Sequence, residues 1–240
     1  MIFFIADLHL SPRSPGATAL FLHFLAHRAR KASALYILGD LFEAWIGDDD
    51  DDPYHASLIA ALRAAADSGL AIAVMPGNRD FLLGAAFAAA AGVQLIADPT
   101  VLTADGWQFV LAHGDALCLD DQAYMTFRAQ SRSPAWAAAM LAKPLPERRR
   151  LAARMRMESI ASQHGQPCAD LQAAATDDFL RAHGYVTFIH GHTHQPARHD
   201  HIVDGIHVER WVLADWREER GECLVWDGAA LKREAILPAS

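Results

Sequence analysis

Residues 188–194 read F-I-H-G-H-T-H, which places three histidines within five positions. They close the apolar run Y-V-T-F-I, which begins at Tyr185 and has the length and composition of a buried strand. His192 and His194, separated by one residue, suit ligands carried on a turning backbone, and the glycine beside them lets that backbone approach an ion. Surface histidines are the alternative reading. For His190 we expect a packing role that supports its neighbours.

Four other apolar runs end in the same way, on polar residues that can bind a metal. Their motifs are D-L-H from Asp7, G-D from Gly39, G-N-R-D from Gly77 and H-G-D from His113. In an open α/β sheet the carboxyl ends of the strands share one edge, where ligands bind. We therefore expect seven side chains to converge there. These candidate donors are Asp7, His9, Asp40, Asn78, His113, His192 and His194.

Each motif also has a plain reading when it is taken alone. A Gly-Asp pair after a strand, as at Asp40, is usually a turn. Asn78 could be a turn residue with left-handed backbone, and His113 a hydrogen-bonded histidine at a strand end. Five such motifs, all following predicted strands, favour a shared site over chance.

The order of the elements predicts an α/β fold in a single domain of residues 1–240. Strand-length runs alternate with helix-like stretches over the first hundred residues, as in βαβ units around a largely parallel sheet. An Ala- and Arg-rich block from 120 to 182 lacks strand alternation and predicts a helical insertion or lid. The predicted strands are 2–6, 35–38, 71–75, 93–96, 107–112, 185–189, 207–213 and 222–225, and the predicted helices are 17–31 and 54–66.

Composition limits the classes of function. The chain is 52% hydrophobic, and its net charge of −8 argues against broad nucleic-acid binding. The amino terminus lacks the features of a signal peptide and no apolar run reaches the ~18 residues of a membrane span, so we expect a cytoplasmic protein. Three widely spaced cysteines indicate buried or free thiols rather than a disulfide framework or a zinc finger.

The chemical types of the seven donors limit which metal ions the site could bind. Carboxylate, imidazole and amide groups without cysteine suit Mn²⁺, Fe or Zn²⁺ better than Ca²⁺. Seven donors are too many for one ion. Two ions that share a bridging carboxylate, at the ~3.5–4 Å separation of binuclear phosphoester hydrolases, would use all of them.

With its five motifs in order, the sequence resembles the calcineurin-like metallophosphoesterases, whose pattern is D-x-H, G-D, G-N-H-D or G-N-H-E, H and G-H-x-H. The resemblance implies a sandwich of two mixed sheets flanked by helices, and two divalent metal ions, with Mn²⁺ expected. By analogy the first ion would take Asp7, His9, Asp40 and His194. The second would take Asp40, Asn78, His113 and His192.

The departure from that pattern is Arg79, which stands where histidine is usual. Arginine, with a pKa above ~12, cannot protonate a leaving alkoxide, but it offers a permanent charge and a planar fork to phosphate oxygens. This favours a phosphate leaving group expelled from a pyrophosphate. The G-N-R-D motif resembles one branch of the family, which hydrolyses UDP-2,3-diacylglucosamine in lipid A biosynthesis. Residues 39–49, 117–128 and 189–196 resemble that branch too.

The resemblance implies attack of water on the α-phosphorus of the pyrophosphate, giving UMP and 2,3-diacylglucosamine 1-phosphate. The catalytic set would be the seven donors and Arg79. The implied substrate contacts are Asn78, Arg79, Asp121, Ser159, Gln163, Gln166 and His192. Gln163 and Gln166 stand where the branch is expected to have an amide and a lysine, so the first exchange is mild and the second removes a charge. Two other functions stay open: hydrolysis of another nucleotide or phosphodiester, and a non-catalytic scaffold without metals.

A substrate with two acyl chains implies work beside a bilayer, on the cytoplasmic face of the inner membrane. Residues 122–160 contain eight basic and two acidic residues among apolar ones. Such a segment can lie on an anionic membrane, through Arg149, Arg150 and Arg154, or can cap an acyl groove. The alternative is an ordinary helical hairpin packed on the core. No nucleic acid or obligate protein partner is expected.

Two further features precede the insertion. Asp48 to Asp52 are five consecutive carboxylates, and their mutual repulsion favours a solvated loop over a metal site. Trp45 would either line the acyl groove or belong to the core.

Overall fold

Two mixed β-sheets pack against each other, as the resemblance implied. The computed structural model describes residues 1–162 and 170–238, and the side chains of these residues apart from 158–162. All elements below are given within those ranges.

The first sheet is largely parallel and has the strand order β11-β10-β1-β2-β3-β4. Strands β1 to β4 run parallel to one another, whereas β10 is antiparallel to β1 and β11 is antiparallel to β10. The bounds are β1 (Ile2–Ile5), β2 (Ala34–Leu38), β3 (Ala71–Met75), β4 (Gln94–Leu95), β10 (Gly221–Trp226) and β11 (Leu231–Ile236).

The second sheet has the order β5-β6-β7-β9-β8. Its three central strands are parallel, and each edge strand pairs antiparallel with its neighbour. The bounds are β5 (Thr100–Ala104), β6 (Trp107–Ala112), β7 (Thr187–His190), β8 (Ala197–Val203) and β9 (Ile206–Val212).

Alternation along the strands separates the core into layers. In β1, Phe4 faces the second sheet and packs with Phe109 and Ile189, whereas Phe3 and Ile5 face a cluster on the other side of the first sheet. Helices α1 (Pro15–His23), α2 (Pro53–Asp67) and α3 (Ala85–Ala91) contribute to that cluster, and α1 continues through a π-helical turn to residue 28 and a 3₁₀ turn to 31. Burial of both faces explains why β1 is apolar throughout.

Four helices occupy the region predicted as an insertion. They are α4 (Gln122–Ser131), α5 (Pro134–Leu141), α6 (Leu145–Ser162) and α7 (Ala173–Ala182). Asp121 and Ser133 cap α4 and α5 by accepting hydrogen bonds from backbone N–H groups. Trp136, Met140 and Leu151 pack on the core of the first sheet, while Leu180 packs on the outer face of the second. No helix in the described part of the chain is long and apolar enough to cross a bilayer.

Candidate metal centre

All seven predicted donors meet at one end of the sandwich. They follow β1, β2 and β3 in the first sheet and β6 and β7 in the second. The strand argument expected the site at the edge of one open sheet, whereas the site lies where two sheets meet. The β1 and β2 loops are held together because Asp7 N–H donates to Gly39 O at 3.1 Å and His9 N–H donates to Asp40 O at 2.9 Å. Parallel pairing of these strands therefore sets the first three donors side by side.

One half of the site contains Asp7, His9 and His194. His194 Nε2 lies 3.5 Å from Asp7 Oδ1 and 3.2 Å from His9 Nε2. His9 Nε2 lies 3.8 Å from Asp40 Oδ2. These groups are close enough together to surround one cation.

The other half contains Asn78, His113 and His192. Asn78 Oδ1 lies 2.8 Å from His113 Nε2 and 2.9 Å from His192 Nδ1. His113 Nε2 is 3.7 Å from Asp40 Oδ1, while the other oxygen of Asp40 faces His9. Asp40 thus lies between the two halves, in the position that a shared carboxylate requires.

The groups present fit a pair of cations. Asp7 Oδ1 is buried and has no hydrogen-bond partner among the described residues, so it lacks the partner that a buried carboxylate oxygen needs. Burial raises the pKa of Asp7, but His194, whose Nε2 lies 3.5 Å from Asp7 Oδ1, and the charges of His113 and His9 outweigh burial and lower the pKa to about 2. Asp7 is therefore ionised at neutral pH.

The pKa values of His113 and His192 are shifted in opposite directions by their surroundings. Burial alone lowers the pKa of His113, but Asp40, Asp115 and Asp7 raise it to about 9. Burial and the charge of His113 lower the pKa of His192 to about 4. A proton on His113 balances the buried carboxylates, which is the charge that a bound cation would supply instead.

The backbone at the donors is strained. Non-glycine residues seldom adopt positive φ, yet Asp7 (54°), His9 (47°), Asp40 (53°), His192 (68°) and His194 (55°) all do. Such residues cost of order 1–3 kcal/mol each and cluster at functional sites. The fold therefore holds five of the seven donors in conformations that a simple loop would avoid.

Two glycines let the backbone pass close to the carboxylates. A Cβ atom at Gly77 would overlap Asp40 Oδ1, and one at Gly191 would overlap Asp7 Oδ2. Neighbouring backbone groups orient the same two side chains: Arg79 N–H donates to Asp40 Oδ1 and His192 N–H donates to Asp7 Oδ2, both at 2.8 Å. Both carboxylates are thus fixed by backbone donors from a second motif.

Comparison with known proteins identifies the family. The calcineurin-like phosphoesterase profile matches residues 1–196, which include every donor described above. The chain belongs to the calcineurin-like phosphoesterase family. A solved archaeal phosphodiesterase has the same fold, with a TM-score of 0.50 at 11% identity over 99% of both chains.

Curated relatives of this phosphoesterase bear the name UDP-2,3-diacylglucosamine hydrolase. One from Aromatoleum aromaticum is 46% identical over 94% of this chain and 93% of its own length. One from Chromobacterium violaceum is 49% identical over 96% and 97%, and one from Escherichia coli O81 is 47% identical over 90% and 91%. The resemblance to that branch is therefore confirmed.

Two buried carboxylates that carried no predicted role support this phosphoesterase centre. Asp80 closes the G-N-R-D loop by accepting from Gly77 N–H at 2.7 Å and from Phe42 N–H at 3.2 Å, and burial together with the charge of Asp40 raises its pKa to about 6. Asp115, in the H-G-D motif, accepts from Arg128 Nε at 2.9 Å and from the Tyr124 hydroxyl. Asp115 thereby joins α4 to the loop that carries His113.

The predicted substrate contacts are only partly placed. Arg79 is partly exposed within the G-N-R-D loop. Asp121 is an exposed cap of α4, where its Oδ1 accepts from Tyr124 N–H at 2.9 Å. Ser159 belongs to α6, but its side chain lies outside the described part, and Gln163 and Gln166 lie outside the described residues altogether. Their contact with substrate stays a prediction.

The insertion of the phosphoesterase adds positive charge near the donors. Arg132 Nη2 donates to Gly77 O at 2.9 Å, inside the loop that carries Asn78. Arg156 of α6 lies near Arg13, and burial together with repulsion from Arg13 lowers the pKa of Arg156.

Asp48–Asp52 form a loop in which Asp49 and Asp51 are exposed, as predicted, but the carboxylates do not simply repel one another. Asp48 accepts from the first turn of α3 and from Trp45 Nε1, and Asp52 caps α2 by accepting from Tyr54 N–H at 2.9 Å. Asp49 pairs with Arg148, while Asp50 and Asp51 pair with Arg149. Every carboxylate of the run therefore has a hydrogen-bond or ion-pair partner, with Arg149 shared by Asp50 and Asp51, so the expected repulsion is offset.

Trp45 and His190 take structural positions. Trp45 is buried in the core cluster of the first sheet, which is the second of its two predicted roles. His190 is fully buried, with Nδ1 2.8 Å from Gly191 O and Nε2 3.1 Å from Arg210 Nη1. Burial and the charge of Arg210 lower the pKa of His190 to about 3, so the ring is neutral and supports the loop of His192.

Proposed function

We propose that this phosphoesterase hydrolyses the pyrophosphate bond of UDP-2,3-diacylglucosamine, giving UMP and 2,3-diacylglucosamine 1-phosphate. The observation that carries the proposal is the gathering of seven oxygen and nitrogen donors around Asp40, with the G-N-R-D loop at their centre. The curated relatives support the choice of substrate, because they carry it in their name and match this chain over nearly their whole length.

The donor set fits two divalent cations, and we propose Mn²⁺. Asp7, His9, Asp40 and His194 would hold one ion, and Asp40, Asn78, His113 and His192 would hold the other. When bound, such a pair makes a water molecule more acidic and neutralises phosphoryl oxygens.

The chain's own groups position the reaction. Backbone N–H groups of Arg79 and His192 fix the carboxylates of Asp40 and Asp7, so these need little rearrangement during turnover. Arg79 would hold the diphosphate through the planar, charged fork of its guanidinium group. Because the leaving sugar phosphate is already a weak base, the reaction needs no acid at that position.

The substrate is tested by comparing UMP release from UDP-2,3-diacylglucosamine with hydrolysis of a generic aryl phosphodiester, both in Mn²⁺. We expect Arg79→Ala to lower kcat/KM for the sugar nucleotide by about 100-fold, or about 3 kcal/mol, and to affect the aryl ester much less. Arg79→Lys keeps the charge without the fork, so its kcat/KM for the sugar nucleotide should lie between those of wild type and Arg79→Ala. Faster turnover of the aryl ester by the wild-type chain, or equal losses for both substrates, would reject the diphosphate role.

We further propose that the protein acts at the cytoplasmic face of the inner membrane through its insertion. Leu141 and Met157 expose 42% and 71% of their surface, and Arg150 and Arg154 are exposed nearby on α6. Arg149 is occupied by Asp50 and Asp51, so reversing its charge would disturb the fold as well as the surface.

Sedimentation with vesicles that contain anionic lipid tests this surface. A variant that combines Arg150→Glu and Arg154→Glu should sediment less than wild type, because each near-surface cation attracts the anionic leaflet. The matched control combines Arg30→Glu and Lys31→Glu, which reverses two exposed charges outside the insertion and should sediment like wild type. Equal sedimentation of all three proteins would reject the membrane role.

A further inference from the structure

Glu43 lies beside a donor of the metal centre because two loops run side by side. Leu10 and Phe42 form an isolated parallel bridge, and Glu43 N–H donates to Leu10 O at 3.1 Å. The pairing extends that of β1 and β2 beyond the strand ends. Glu43 follows Asp40 by three residues, and His9 directly precedes Leu10. The pairing therefore places Glu43 next to His9.

One carboxylate oxygen of Glu43 faces the ring nitrogen of His9 that points away from the donors. Glu43 Oε2 lies 3.4 Å from His9 Nδ1, which is buried and makes no hydrogen bond within the described part of the chain. His9 Nε2 faces Asp40 and His194 instead. A carboxylate at Nδ1 favours the tautomer with hydrogen on that nitrogen, which leaves the Nε2 lone pair free for a cation.

The other oxygen of Glu43 reaches the insertion. Glu43 Oε1 pairs with Arg156 Nη1, and the two side chains are 18% and 35% exposed. Earlier on the same helix, Arg148 and Arg149 pair with the acidic run that begins at Asp48. Residues 43–51 thus hold α6 in place through ion pairs, and we call this segment the seat of α6. Glu43 connects the seat to the metal donors.

We propose that Glu43 is a positioning residue that couples the seating of helix α6 to cation binding at His9. A cation at His9 Nε2 favours the tautomer that donates to Glu43, and a fixed Glu43 favours the ion pair with Arg156. Coupling of this kind is reciprocal, so a seated α6 strengthens cation binding to the same degree. The inference rests on the proposed cation site and does not depend on the choice of substrate.

Two measurements on the full chain test the coupling: Mn²⁺ affinity by calorimetry, and hydrogen exchange of residues 145–157 with and without Mn²⁺. In the wild type we expect Mn²⁺ to slow exchange in α6. Glu43→Ala should weaken the affinity of one Mn²⁺ by about 10–100-fold, the usual effect of losing a carboxylate behind a metal-bound histidine. It should also abolish the effect of Mn²⁺ on α6.

Two variants separate the coupling from folding defects. Glu43→Gln keeps an oxygen for His9 but loses the charge that holds Arg156, so its Mn²⁺ affinity should fall less than in Glu43→Ala while α6 stops responding to Mn²⁺. Asp49→Asn loosens α6 through Arg148 without touching His9. Its α6 should exchange faster, and because the coupling is reciprocal Mn²⁺ should bind somewhat more weakly than in wild type, but less weakly than in Glu43→Ala, and should still slow that exchange.

Wild-type Mn²⁺ affinity and a wild-type response of α6 in either Glu43 variant would overturn the inference. So would equal losses of affinity in Glu43→Ala and Asp49→Asn, because a loosened helix alone would then explain both. A wild-type chain that binds no Mn²⁺ would overturn the cation site itself together with this coupling. Normal Mn²⁺ coupling without UMP release would instead reject only the proposed substrate.

Discussion

Asp40 is the residue on which the two halves of the centre depend. Its two oxygens face His9 and His113, and the Arg79 N–H fixes its orientation. We expect Asp40→Ala to lower turnover at least ~1,000-fold, or about 4 kcal/mol, because both cation sites lose a ligand. His113→Ala should behave similarly. Circular dichroism and the unfolding midpoint of the metal-free variants should stay near wild type.

The matched control for Asp40→Ala is Asp67→Ala, which removes a carboxylate from an exposed ion pair on α2. Its turnover should equal that of the wild type, since exposed pairs contribute little. Near-normal turnover of either the Asp40 or the His113 variant would contradict the assignment of the centre.

Some residues of this site could be predicted from the sequence, and others could not. The seven donors were predictable because each follows a strand and has a side chain that binds metals. Glu43 was not, since its role comes from a contact with His9, which lies in another loop. Asp80 and Asp115 carried a usable signal, because they close the G-N-R-D motif after β3 and the H-G-D motif after β6.

At the scale of elements, the seat of α6 depends on a buried guanidinium. Arg148 is 2% exposed and donates from Nη1 to Ile46 O and to Asp49 Oδ1, both at 2.7 Å. Arg148→Met should lower the free energy of unfolding by about 1–3 kcal/mol, because Ile46 O is left without its donor. Asp49 is largely exposed and can be rehydrated, which limits the loss.

Urea unfolding checks this prediction, with Arg150→Met as the control. Arg150 is exposed on the same helix, so its replacement should change the free energy of unfolding by less than about 0.5 kcal/mol. Equal effects of the two substitutions would show that the pairing with Asp49 does not hold α6.

The elements that sequence reasoning found are those with strong apolar patterns. The predicted strands 71–75 and 107–112 coincide with β3 and β6, and the remaining predicted strands differ from the observed ones by one or two residues at one or both ends. Strands β5, β8 and β11 were missed because they are edge strands whose polar residues face water, so they lack an apolar run. Helix α3 is mostly alanine and is too short to show a helical period.

At the scale of the molecule, an ion pair joins the segment that precedes α7 to the second sheet. Asp170 accepts from Arg210 of β9 at 2.7 and 2.8 Å, and Arg210 also contacts His190. Burial raises the pKa of Asp170, but the hydrogen bonds from Arg210 and Leu171 N–H outweigh it and lower the pKa to about 2. Since the folded-state pKa is below the usual ~3.9, this pair stabilises the fold above pH ~4.

The stabilisation by Asp170 should be lost as pH falls from ~4 to about 2, because both folded and unfolded chains then carry the proton. Urea unfolding of the metal-free protein at several pH values measures this, with Asp170→Asn for comparison. The difference between wild type and variant should be largest near pH 7 and should shrink towards pH 2. A difference that stays constant down to pH 2 would contradict the pairing.

The central claim is that two sheets bring seven donors around a pair of cations that share Asp40. Anomalous scattering at the manganese edge, from crystals soaked in Mn²⁺, tests it most directly. We predict two peaks ~3.5–4 Å apart, one beside Asp7, His9 and His194 and the other beside Asn78, His113 and His192, with Asp40 between them. A single peak, no peak at saturating Mn²⁺, or peaks that do not contact Asp40 would contradict the account.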